Sequence, residues 1–79
     1  MIKIKNRHGE EIPCRRLIEA PLYQPKTGEI LYNIYAQHYD DYNIVTLYIF
    51  FTREEMEQKY AELFQEYMRQ AEEEYNSKK

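Results

Sequence analysis

The hydrophobic pattern of this chain changes period at Thr52. Before it, apolar and polar residues alternate in short runs. After it, Met56, Tyr60, Leu63, Phe64, Tyr67, Met68 and Ala71 recur at three- and four-residue spacing. The first pattern belongs to half-buried strands and the second to an amphipathic helix. Thr52 followed by Glu55 reads as a capping box, in which the hydroxyl accepts from a free N–H of the first turn and the carboxylate returns to the cap's own N–H. Glu54, Glu55 and Glu57 suit the positive end of the helix dipole. The apolar stripe spans an arc of roughly 140°, the width of a helix lying on a sheet. Glu74 falls inside that arc, so burial should end near Ala71. The spacing predicts a helix over 52–75. At about 35 Å it outruns strands of about 25 Å, so its last two turns should project with few contacts. Residues 76–79 read as a frayed tail.

Upstream, four antiparallel strands are expected near 1–6, 12–22, 30–39 and 44–51. Arg7-His8-Gly9-Glu10, Gln24-Pro25-Lys26-Thr27-Gly28 and Asp40-Asp41-Tyr42-Asn43 form the turns between them. Pro13 and Pro21 each remove a donor, so the second strand should be irregular or near an edge. In the last hairpin, Tyr39 opposite Ile44 sets Ile34, Ala36, Leu47, Ile49 and Phe51 on one face. Tyr35, Tyr39, Ile44, Tyr48 and Phe50 then fall on the other. Tyr23 opposite Glu29 adds Ile18, Ala20 and Leu22 to the first face and Leu17 to the second. Ile2 and Ile4 face in, and Lys3 and Lys5 face out. The expected fold is α+β: one domain over 1–79, a four-stranded β-meander (1–51) with one long C-terminal helix packed on one face.

The chain has 79 residues, 43% hydrophobic and 32% charged, which suits a globular domain and argues against disorder. Its single cysteine, Cys14, cannot form an intrachain disulfide, and secreted domains of this size usually depend on several. There is no apolar run of membrane-spanning length, and the first residues lack a signal-peptide core. A cytoplasmic location is therefore expected. The net charge of −3 is unevenly spread. Residues 1–52 are neutral, with six basic and six acidic side chains, whereas 53–75 set three basic residues against eight glutamates. Binding of duplex nucleic acid through bulk charge would call for the opposite sign.

No enzymatic motif is present. His8, Cys14, His38, Asp40 and Asp41 match no metal-ligand spacing. Cys14 and His38 fall side by side in the expected register, yet nothing there would lower the thiol's pKa. Gly9 and Gly28 lie in separate turns and build no phosphate loop. No cofactor and no metal are expected. What stands out is the tyrosine-rich face, where Leu17, Tyr35, Tyr39, Ile44, Tyr48 and Phe50 would form one apolar surface with polar tips. The expected function is a small non-enzymatic interaction protein. It would form a homodimer or cap a larger protein partner, as a regulator or inhibitor of the kind that phages and mobile elements carry. The alternative is a single-stranded nucleic-acid binder, stacking bases on the same tyrosines beside Lys3, Lys5 and Arg15.

Overall fold

A computed structural model describes residues 1–77. The class is α+β, but five strands make two antiparallel sheets rather than one four-stranded meander. β1 (Lys3–Lys5) pairs with β2 (Glu11–Pro13), and β3 (Arg16–Gln24), β4 (Glu29–Gln37) and β5 (Ile44–Phe50) form the second sheet in that order. α1 (Arg53–Ser77) follows. The strand expected over 12–22 is thus broken near Cys14, where Pro13 ends β2. Of the expected frayed tail, Asn76 and Ser77 are helical, while Lys78 and Lys79 lie outside the described residues.

Each tight turn has a local cause. Gly9 and Gly28 have φ of 81° and 74°, a region where a Cβ is strained. In the first turn the Asn6 Oδ1 accepts from the N–H groups of His8 and Glu10, at 2.9 and 3.0 Å. In the second, the Gly28 N–H donates to the Gln24 carbonyl at 2.8 Å, which makes Gln24 and Glu29 the pair that closes the hairpin. The third turn begins two residues earlier than expected. The His38 N–H donates to the Asn43 carbonyl at 2.9 Å, and Tyr42 takes φ 59°.

Register decides which side chains face inward, because residues paired across a ladder share a face and a one-residue slip exchanges the faces. In β3 and β4 the pairing is Tyr23 with Ile30 and Leu17 with Ala36, one residue from expectation. Leu17 therefore turns into the core, and Ile18, Ala20 and Leu22 turn outward. In β4 and β5 the pairing Tyr35 with Thr46 differs from expectation by two residues, so Tyr35 and Ile44 keep their outward face. Thr46 pairs with Tyr35 and Tyr48 with Ile34, so Leu47 between them is the extra residue of a β-bulge. The bulge reverses the rest of β5. Tyr48 and Phe50 pack against the core, and Ile49 faces out, 38% exposed.

The core holds Ile2, Ile4, Cys14, Leu17, Ile34, Ala36, Leu47 and Met56. Tyr60, Leu63, Tyr67 and Ala71 close over it from α1, whereas Phe64 and Met68 stay about half exposed. The buried stripe is narrower than expected because α1 rests on β1, β4 and β5 and leaves β3 largely bare. Complete burial of a side chain such as Ile34 or Leu47 contributes about 1.5–3 kcal/mol.

Polar contacts fix the helix along its length. The Glu55 N–H donates to the Thr52 Oγ1 at 3.3 Å, and the Thr52 hydroxyl donates to the Glu55 carboxylate at 2.9 Å. The Tyr67 hydroxyl donates to the Arg15 carbonyl at 2.6 Å. Gln70 acts as a ladder rung: its Oε1 accepts from the Lys3 N–H at 2.9 Å and its Nε2 donates to the Lys3 carbonyl at 2.8 Å. Past Ala71, Glu74 pairs with the amino group of Met1.

Candidate functional site

All elements outside the three-stranded sheet gather on one side of it. Ile2, Ile4, Cys14 and Met56 share one cluster with Leu17, Ile34, Ala36 and Leu47, so the β1–β2 hairpin and α1 cover the same face. The opposite face is built from alternate residues of each strand: Arg16, Ile18, Ala20, Leu22 and Gln24 from β3, Glu29, Leu31, Asn33, Tyr35 and Gln37 from β4, and Ile44, Thr46 and Ile49 from β5. Among the described residues nothing packs over it. Leu22 is 48% exposed and Ile44 49%. The middle row runs Ala20–Asn33–Ile49. Asn33 is buried between its neighbours, and its Nδ2 donates to the Ala20 carbonyl at 3.3 Å. Seven of these thirteen side chains are apolar, and Arg16, Gln24, Glu29, Asn33, Gln37 and Thr46 are polar or charged; exposed apolar groups clustered in this way are the usual mark of a contact surface.

The six residues read from the sequence as one partner-binding face are divided. Tyr35 and Ile44 stand on the bare face. Leu17 is buried beneath the other. Tyr48 stacks on Phe50 with ring centroids 5.9 Å apart, and the Lys59 ammonium of α1 lies 5.2 Å from the Tyr48 ring centroid. The Tyr39 hydroxyl oxygen accepts from the Ile2 N–H at 3.4 Å, which ties it to the N-terminal hairpin. The surface that results is more aliphatic than aromatic. Ile18, Leu22, Leu31 and Ile49 were not expected there. The signal that could have found them is Gly28: a glycine at the end of the turn favours closing the hairpin at Gln24 and Glu29, which sets β3 in its observed register.

The basic residues fare similarly. Lys3 and Lys5 flank an open cleft of about 640 Å³ between β1 and α1, lined also by Tyr48, Leu63, Glu66 and Arg69. Arg15 donates to the Tyr42 hydroxyl at 2.7 Å, beside the β4–β5 turn. Lys3 and Lys5 thus share the tyrosine-bearing bare face with neither Tyr35 nor Ile44. In the cleft the charges are mixed. Arg69 bonds Glu66 and holds its carboxyl down to about 2, with Gln70 assisting.

The groups with chemical potential are occupied structurally. Cys14 is fully buried, and that burial pushes its thiol up to about 11, away from the thiolate form. The His38 Nδ1 accepts from the Asp40 N–H at 3.2 Å and lies 3.6 Å from the Asp41 carboxylate. The Asn43 backbone N–H holds the Asp41 carboxyl below its usual range, with His38 adding to the effect. Among the described residues no three His, Cys, Asp or Glu side chains gather as metal ligands. No helix among them is long and apolar enough to cross a membrane. Comparison with known protein families, curated proteins and solved structures finds no match to this chain.

Proposed function

We propose that the chain is a non-enzymatic protein-interaction module and that the bare face of the β3–β4–β5 sheet is its docking surface. One observation carries this reading: seven apolar side chains, Ile18, Ala20, Leu22, Leu31, Tyr35, Ile44 and Ile49, share a face that no element covers among the described residues. Apolar side chains on an uncovered sheet face meet water at a cost, and a second protein surface about 10 Å away removes that cost. Tyr35 serves as the aromatic anchor, an apolar body with a polar tip that tolerates both wet and buried states. The working role is that of a regulator or inhibitor in a reducing, cytoplasmic setting, in keeping with a lone buried cysteine. Single-stranded nucleic acid is the weaker reading, because Lys3 and Lys5 lie apart from this aliphatic surface and α1 is acidic.

The test is capture of a binding protein from native lysate, compared with a Tyr35→Ser, Ile49→Ser double variant that keeps its helical circular dichroism. Loss of the captured or self-associated species in the variant is expected. Retention of binding would overturn the reading. Lys3→Glu with Lys5→Glu should change little; a steep loss with those changes and with salt would point to nucleic acid instead.

A further inference from the structure

We infer that the bare sheet face takes a second copy of this chain, sheet on sheet, with the strands of the two copies antiparallel about a two-fold axis. This rests on the docking role proposed for that face. A two-fold interface joins the same patch on both copies, so the patch must be complementary to itself. One feature meets that requirement, and a second sets the strength. The face carries only two charged residues, Arg16 and Glu29, of opposite sign and on neighbouring strands. Arg16 stands at the end that pairs with Gln37, and Glu29 at the opposite end, paired with Gln24. An antiparallel two-fold therefore carries Arg16 of each copy toward Glu29 of the other, twice. A parallel two-fold would instead set Glu29, on the central strand, against its own copy.

The second feature is size. Three strands about 4.8 Å apart and about 30 Å long give a footprint of about 400–450 Å² per copy. The total of about 800–900 Å² falls well below the ~1,200 Å² at which stable complexes begin, so the dimer should be weak, reversible and dependent on concentration. Pairing of the open β3 edge between copies is a poorer route. His38 begins the ladder that directs the even residues of β4 to β5, so Leu17, Glu19, Pro21 and Tyr23 aim their backbone groups at that edge. Pro21 supplies no N–H there, the usual guard against edge pairing.

Sedimentation across a wide range of concentration, at low salt, tests the inference with Arg16→Glu, Glu29→Arg, the double exchange and Ile49→Lys. A monomer–dimer equilibrium is expected. Each single reversal should weaken it on the order of tenfold, because two contacts change per dimer. The double exchange should restore it, and Ile49→Lys should abolish it. A chain that stays monomeric throughout overturns the inference, and the lysate capture then decides the docking face by itself. A dimer lost in Ile49→Lys but indifferent to both charge reversals overturns the antiparallel arrangement while upholding the face. A dimer that none of the variants disturbs overturns both.

Discussion

At the scale of single residues, two positions of β5 that simple alternation would put on one side have opposite fates. Leu47 is fully buried at the bulge, whereas Ile49, two residues on, is 38% exposed on the bare face. Leu47→Ala should cost about 2–5 kcal/mol through lost contacts and the cavity left behind. Ile49→Ala should stay within about 1 kcal/mol when denatured at a concentration low enough for the monomer. Urea denaturation of both variants checks the pair of values, and equal losses would show that the assigned faces of β5 are wrong. Cys14 makes a second test at this scale. Burial raises its thiol to about 11, so alkylation under native conditions should be far slower than in denaturant.

At the scale of elements, α1 is fastened to β1 by a side chain that imitates backbone. Gln70 meets both the N–H and the carbonyl of Lys3. Gln70→Ala removes two hydrogen bonds at about 1 kcal/mol each and should speed exchange of the Lys3 amide while leaving core amides protected. Uniform loss of protection would mean that the hairpin and the core unfold together. At the other end, Thr52→Ala should cost about 1 kcal/mol by freeing the Glu55 N–H. Melting of that variant measures the cap without touching the sheet.

At the scale of the whole molecule, ionisation sets two limits on stability. Arg69 depresses the Glu66 carboxyl from 4.5 to about 2, so the folded state favours its ionised form. That contribution is complete above about pH 4.5 and is lost as pH falls toward 2. Cys14 behaves oppositely: its contribution is complete below pH 9 and is lost as pH rises through about 11. Glu66→Gln should therefore flatten the acid limb of a stability profile and leave the alkaline limb intact. An unchanged acid limb would show that the solvent-exposed Arg69–Glu66 pair contributes nothing measurable.

Much of this architecture was legible in the sequence. The change of hydrophobic period at Thr52, the cap at Thr52 and Glu55, and the inward positions of Ile34, Ala36 and Leu47 all follow from local chemistry: a helix repeats every 3.6 residues, and its first turn needs an acceptor. The faces of β3 and of the end of β5 were not legible, because a strand repeats every two residues and one residue more or less in a turn or bulge exchanges its faces. Gln24 rather than Tyr23 closes the hairpin opposite Glu29, and that alone moves Leu17 inward and Leu22 outward. The bulge at Leu47 is a tertiary choice: the Leu47 carbonyl accepts from the Arg7 N–H at 3.0 Å, and Tyr48 is freed to lie beneath Lys59 of α1. Alternation along the chain determined that β5 has an apolar side to bury. Packing against the N-terminal hairpin and the helix decided which residues form it, and so left Tyr35, Ile44 and Ile49 together on the bare face.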